Sequence, residues 1–235
     1  MSTVLITGAT RGIGRATALL FAKAGWDLLL ASRDEKALKS LVKELENLDN
    51  KVFYVSVDFS NSDEIDLAIE ELLSHGLSPN VLINNAGVAW TGDLLNMPLV
   101  KWQWIVQLNI TSIFQICKKV VPVMRKNGGL VINVSSHASR NAFPQWGAYC
   151  VTKAALASFT KCLAEEERKF SVRACTLTLG SVNSTIWDTS TVQSSFNRNA
   201  MLHVDQAAKE LLHLAEQPST QIIEDLTLMP SAGVL

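Results

Sequence analysis

The side chains with the most direct chemical potential in this sequence are Tyr149 and Lys153, with Ser136 upstream. A tyrosine and a lysine four residues apart share one face of a helix. A phenol has a reference pKa of about 10 and neither gives nor takes a proton readily at neutral pH. An ammonium group beside it stabilises the phenolate and is expected to draw that pKa down. The pair can then exchange a proton with an alcohol or carbonyl oxygen. The same spacing also occurs on ordinary solvated helix faces, so its meaning depends on what the chain places around it. A second set of residues lies at the other end of the chain. Gly8, Gly12 and Gly14 follow the apolar stretch Val4–Thr7 and precede a helical pattern from Arg15 to Lys23. Glycines there permit a tight turn and let backbone N–H groups approach a pyrophosphate at the helix N-terminus. A plain glycine-rich turn is the other reading.

The elements that must position these groups alternate along the chain. Strands are expected at 4–7, 26–31, 52–57, 81–83, 130–134, 172–179 and 222–228. Amphipathic helices are expected between them, including one over 100–125 that Pro122 should kink and one carrying Tyr149 and Lys153 to about Lys169. Alternation of this kind predicts an α/β fold of three layers, a doubly wound, parallel seven-stranded sheet with helices on both faces. Ligands are then expected at the carboxyl ends of the strands. No linker or repeat divides the chain, so residues 1–235 are read as one domain. The polar, irregular stretch Ser181–Met201 contains Trp187 and is expected to form a lid at about 181–203.

Composition narrows the function classes. Of 235 residues 48% are hydrophobic and 18% charged, a globular balance. Net charge is −1, with no basic tract, so no nucleic-acid or membrane-surface partner is expected. No apolar run reaches the length of a membrane span. The N-terminus lacks the basic start and long apolar run of a signal peptide. Cys117, Cys150, Cys162 and Cys175 show no C-x-x-C or metal-ligand spacing. They are read as free thiols in a reducing cytosol, Cys150 as a packing residue, and no metal site is expected.

Five motifs occur in a telling order. Thr7-Gly8-Ala9-Thr10-Arg11-Gly12-Ile13-Gly14 resembles the T-G-x-x-x-G-x-G loop of the short-chain dehydrogenases/reductases. Asn84-Asn85-Ala86-Gly87 resembles their N-N-A-G motif, Asn109 matches the asparagine of their long fourth helix, and Ser136 and Tyr149-x-x-x-Lys153 match their catalytic residues. The resemblance covers essentially the whole chain. It implies a Rossmann fold and hydride transfer between a nicotinamide cofactor and a carbonyl or alcohol. Tyr149 would be the acid/base, Lys153 would grip the nicotinamide ribose, Ser136 would hold the carbonyl oxygen, and Asn109 would hold a relay water.

The second strand bears on the cofactor. A carboxylate at its end would hydrogen-bond the ribose of NAD and repel a 2′-phosphate. This chain has Ala31-Ser32-Arg33 there, with Arg11 in the glycine loop. Ser32 and the arginines suit a 2′-phosphate, so NADP(H) is expected, although both arginines could instead be plain exposed charges. Asp58 resembles the aspartate that meets the adenine, with Phe59 beside it, or serves as a turn residue; Asn85, Ala86 and Gly87 would line the adenine ribose. After strand six the family has P-G-x-V-x-T, and this chain has Leu179-Gly180-Ser181-Val182-Asn183-Ser184, so Gly180, Val182 and Ser184 are matched while Leu179 departs. Trp90, Ser136, His137, Trp146 and Trp187 are expected to contact a small, mostly uncharged substrate. A homodimer or homotetramer is expected by analogy with relatives. The competing readings are a 3-oxoacyl-thioester reductase, with Lys118, Lys119, Arg125 and Lys126 as a docking patch, and a non-catalytic NADP(H)-binding sensor or scaffold.

Overall fold

A computed structural model describes residues 2–233; Met1 and the last two residues of the tail, Val234 and Leu235, lie outside the described residues. The strands are β1 (Thr3–Thr7), β2 (Asp27–Ser32), β3 (Val52–Ser56), β4 (Val81–Asn84), β5 (Gly129–Ser136), β6 (Val172–Leu179) and β7 (Asp225–Leu228). They form a parallel seven-stranded sheet in the order β3-β2-β1-β4-β5-β6-β7. The order reverses between β1 and β4, which opens a crevice above their carboxyl ends.

Strand residues explain the two faces. Successive side chains point to opposite sides of a sheet. Val4 and Ile6 of β1, Leu28 and Leu30 of β2, and Ile132 and Val134 of β5 enter one core; Leu5, Leu29 and Val131 enter the other. The first core is covered by α1 (Gly12–Lys23), α2 (Glu35–Leu45) and α7 (Val204–Ala215). The second is covered by α3 (Ser62–Ser74), α5 (Ser112–Met124) and α6 (Gly147–Glu167). A strand buried on both faces needs apolar residues in both registers, which is why these stretches read as near-continuous hydrophobic runs. No helix of the described residues is long and apolar enough to cross a membrane.

Three element boundaries differ from expectation. The helix expected over 100–125 is divided not at Pro122 but at Gln107–Thr111, where a wider π-type turn separates α4 (Leu99–Val106) from α5. Pro122 lies in the last turn of α5, where it forfeits the bond to the Lys118 carbonyl but leaves no further turn to be bent. The last strand begins at Asp225 rather than Ile222, because Arg173 holds the carbonyls of Pro218 and Gln221 at 3.1 and 2.6 Å and keeps that backbone off the sheet. The helix of the sequence pattern His203–Ala215 begins one residue later than that pattern, because His203 is its cap: its ring nitrogen accepts the Asp205 N–H and its backbone N–H is taken by the Gln206 side chain.

Candidate active site

A cleft of about 960 Å³ runs across the carboxyl ends of the strands. At one end lies the loop between β1 and α1. Gly8 and Gly12 have φ of +67° and +53°, a region that costs side-chain-bearing residues strain. Gly14 has a different function from the one expected. It does not line the cleft, and a Cβ there would run into the Gly8 carbonyl oxygen and lie 2.6 Å from the Asn85 amide. It is a packing glycine that lets α1 start tight against the loop.

Asn85 locks that loop from β4. Its amide donates to the carbonyls of Thr7 and Gly8 at 3.0 and 3.3 Å, while the N–H groups of Asn85 and Ala86 both donate to Thr7 Oγ1 at 3.0 Å. Thr10 Oγ1 and Ser32 Oγ are 2.8 Å apart, which ties the loop to the end of β2. The first turn of α1 has no acidic residue, and Arg11 at its N-cap makes no side-chain capping bond. Its N–H groups therefore lack a side-chain acceptor beside the cleft, the arrangement that accepts an anion. Gly8, Thr10, Arg11, Gly12, Ile13, Ser32, Arg33, Asp58, Phe59, Asn85, Ala86 and Gly87 all line this end. Arg33, whose side chain is 70% exposed, lies 3.5 Å from Asp58. Burial pushes the Asp58 carboxyl up, but the Ser60 N–H and hydroxyl, with Arg33, outweigh it and hold the pKa below the usual range. Asp58 is thus a turn residue as well as a cleft residue, since one carboxylate oxygen accepts both Ser60 donors.

The other end brings Ser136, Tyr149 and Lys153 together. Ser136 closes β5, and its Oγ accepts the Ala138 N–H at 3.2 Å, which leaves its hydrogen available to the cleft. Lys153 is buried, and its ammonium donates to the Val134 carbonyl at 2.9 Å. Burial without a carboxylate lowers its pKa to about 8. The half-buried Tyr149 is pushed up to about 12 by burial, offset in part by the neighbouring Ser136 hydroxyl. This corrects the expectation that Lys153 draws the phenol down. The ammonium lies 5.7 Å from the ring centroid and is directed to Val134, so its charge does not reach the phenolic oxygen closely enough to overcome burial.

Asn109 is fully buried on the π-type turn, and it braces rather than lines the site. Its amide donates to the Val88 carbonyl at 2.9 Å and to Thr152 Oγ1 at 3.0 Å, and its oxygen accepts the Val88 N–H at 2.9 Å. Both amide hydrogens are thereby committed to protein acceptors. The asparagine ties the irregular segment following N-N-A-G to the helix that carries Lys153.

The loop after β6 completes the cleft. Gly180, Val182, Ser184 and Trp187 line it. A Cβ on Gly180 would lie 2.6 Å from Pro230 Cδ and 3.0 Å from Met229 Sδ. The tail therefore presses a proline ring onto the loop where the preceding residue is Leu179. Trp187 donates to the Val182 carbonyl at 2.7 Å, and the 189–193 backbone is stitched to Ala89 and Thr91. His137 and Trp146 line the cleft as expected, with Phe143 beside them, but Trp90 does not. Its ring folds over Gly92, whose Cβ position lies 2.5 Å from it, and so turns away from the cleft. Sequence reasoning missed Trp104, Phe196 and Met229. Phe196 sits in a polar run with no motif, and its position emerges only when the loop folds back.

Comparison with known proteins agrees with this arrangement. Residues 2–195 match the family model described as short chain dehydrogenase. The chain is 34% identical over 165 residues to a 3-oxoacyl-[acyl-carrier-protein] reductase of Synechocystis, covering 69% of this chain and 66% of that one. It is 30% identical over 239 residues to the serine 3-dehydrogenase of Agrobacterium fabrum, covering 97% and 93%. A metagenomic short-chain oxidoreductase solved in complex with NADP superposes with a TM-score of 0.85 at 27% identity, over 98% of this chain and 97% of that one. The chain belongs to the short-chain dehydrogenase family of oxidoreductases.

Proposed function

We propose that the chain is an NADP(H)-dependent carbonyl reductase, acting on a C=O/CH–OH pair with Tyr149 as the proton donor. The observation that carries this reading is the placing of Ser136, Tyr149 and Lys153 at one end of a cleft whose other end is an anion-accepting helix N-terminus. The residues fit the cofactor. The free first turn of α1 suits a pyrophosphate, and Arg33 and Arg11 beside Ser32 suit a 2′-phosphate. Similarity to an oxidoreductase solved with NADP supports the same choice. When bound, the reduced nicotinamide supplies the hydride.

The chain's own groups do the rest. Ser136 donates its hydroxyl hydrogen to the substrate oxygen, polarising the carbonyl and fixing its place. Tyr149, held protonated by burial, gives its proton to that oxygen as charge develops. Lys153, buried beside the phenol and anchored on the Val134 carbonyl, holds ribose hydroxyls of the cofactor. The stretch 181–203 acts as a lid that excludes water, with Arg198 bonded to Asn183, Ser184 and Asp188 as its internal clasp. A narrower second reading, 3-oxoacyl-thioester reduction, is favoured by similarity to the Synechocystis reductase. Tyr149→Phe tests the mechanism. It should reduce turnover of any ketone substrate by about 10²-fold or more, the scale of a lost general acid, while NADPH still binds. Retained turnover would refute the assignment.

We further propose self-association. The exposed face of α6 carries Val151, Ala154, Ala155, Ser158 and Cys162, and Phe114 of α5 is 52% exposed. Small and apolar side chains along a helix suit close packing against a second copy.

A further inference from the structure

The substrate end of the cleft has a chemical character that narrows the ketone. Aromatic rings follow one another outward from the phenol. Trp146 lies 5.7 Å from Tyr149 at an interplanar angle of 70°, Trp187 lies 5.7 Å from Trp146 at 65°, and Phe196 lies 5.7 Å from Trp187 at 78°. All four rings line the cleft. Edge-to-face contacts fix the relative orientation of rings and leave a preformed aromatic wall. The Trp187 N–H is committed to Val182, so that ring offers apolar surface.

Charges at this end are already paired. Asp188 lines the cleft and is bonded to Arg198 at 2.9 Å. Arg140, in the segment after His137, pairs with Asp225 at 2.6 Å. In the basic patch that would receive an acidic carrier protein, Lys119 is bonded to Asp66 and Glu70 at 3.2 and 2.6 Å, and Arg125 to Glu167 at 2.6 Å. Lys118 and Lys126 of that patch make no ion pair, but they do not line the cleft; at its substrate end Lys153 is the one lysine or arginine among the described lining residues, so a carboxylate or phosphate on the substrate finds no free cation beyond it. A ring without charge finds surface on several sides.

We propose that the substrate is an uncharged ketone carried on a fused or bulky ring system, seated against Trp146, Trp187 and Phe196. This rests on the carbonyl reduction proposed above. The C=O π bond breaks as the carbon gains a hydride and the oxygen gains the Tyr149 proton. The ketone becomes a secondary alcohol, reduced nicotinamide becomes oxidised, and solvent returns the proton. The rings come from two stretches of chain, the start of α6 and the loop after β6, which meet where Trp187 packs on Trp146.

The experiment is an NADPH-consumption assay of the full chain on 1-tetralone, 2-decanone, propanone and acetoacetyl-coenzyme A. Calorimetric titration of 1-tetralone runs alongside it. The kcat/KM for 1-tetralone should exceed that for 2-decanone and for the thioester by about tenfold or more, as loss of a fitted pocket contact typically costs. In Phe196→Ala, an exposed lid change that should not disturb folding, the loss on 1-tetralone should exceed the loss on propanone by a similar factor, mostly in KM. Calorimetric binding should weaken in parallel, and Trp187→Phe should lose less than Trp187→Ala. A preference for the thioester or the linear ketone, or equal losses on all substrates, would overturn the ring proposal and leave carbonyl reduction standing. If nothing consumes NADPH, carbonyl reduction falls. Saturable tetralone binding weakened by Phe196→Ala would then still support the ring site, and absence of binding would refute it too.

Discussion

At the scale of single residues, Tyr149 and Lys153 are shifted by burial in opposite directions, to about 12 and about 8. Each is thereby held nearer its neutral form, the phenol as a donor and the amine as a group able to change charge within reach of physiological pH. The stability consequence has a definite sign. Below pH 8 both folded and unfolded chains hold the Lys153 proton, and the burial penalty is fully present. Between about pH 8 and 10.5 the unfolded chain binds more protons, so stability rises with pH. Tyr149 acts oppositely between about pH 10 and 12, where the unfolded phenol ionises first. Urea unfolding at pH 7.5 and 9.5 should show wild type gaining about 2 kcal/mol relative to Lys153→Met over that interval. An identical pH dependence in the two proteins would contradict it. Arg33 is a separate test of cofactor choice. Arg33→Ala should raise the NADPH dissociation constant by about tenfold to a hundredfold, the worth of a charge-assisted bond, and leave NADH binding nearly unchanged. Equal binding of the two cofactors by wild type would sink the NADP(H) assignment.

At the scale of elements, the π-type turn at Gln107–Thr111 matters more than the proline that was expected to bend the helix. One wider turn rotates the helix and aims the Asn109 side chain at both backbone groups of Val88. The same amide reaches Thr152, next to Lys153. Asn109→Leu would leave these partners unpaired in a buried setting and should cost about 2–4 kcal/mol by chemical denaturation. Wild-type stability in that variant would show that the brace is dispensable. The motif match singled out Asn109 but could not reveal its partners, because Val88 and Thr152 lie 21 and 43 residues away in sequence. The tail works on the same principle. Pro230 lies against Gly180 some fifty residues earlier, and only packing shows that a proline ring reaches the loop from outside it.

For the whole molecule, the parallel sheet sets where everything meets. Strands near the reversal between β1 and β4 deliver the glycine loop, Asn85 and Ser136 to one rim, and α6 brings Tyr149 and Lys153 across it. The opposite consequence of the layered fold is the exposed small-residue face of α6 beside Phe114. Light scattering of the intact protein should give a dimer or tetramer, and Val151→Glu combined with Phe114→Glu should give a monomer, since like charges would be brought into an apolar contact. A monomeric wild type would remove the self-association proposal.

The sequence by itself determined the alternation of strands and helices, the two-faced burial of the strands, and the candidate site residues Ser136, Tyr149, Lys153 and the glycine loop. Those signals are local: hydrophobic period, glycine at a turn, and two side chains one helical turn apart. Only the tertiary structure decided the direction of the Tyr149 shift, because burial depends on what closes over the ring. It also turned Trp90 away over Gly92, brought Phe196 into the wall, and made Gly14 a packing residue. Gly14 meets Asn85 some seventy residues on, and Thr191 and Gln193 are held at Ala89 and Thr91 about a hundred residues earlier, so the loop that carries Trp187 and Phe196 is placed by contacts that no short-range pattern encodes.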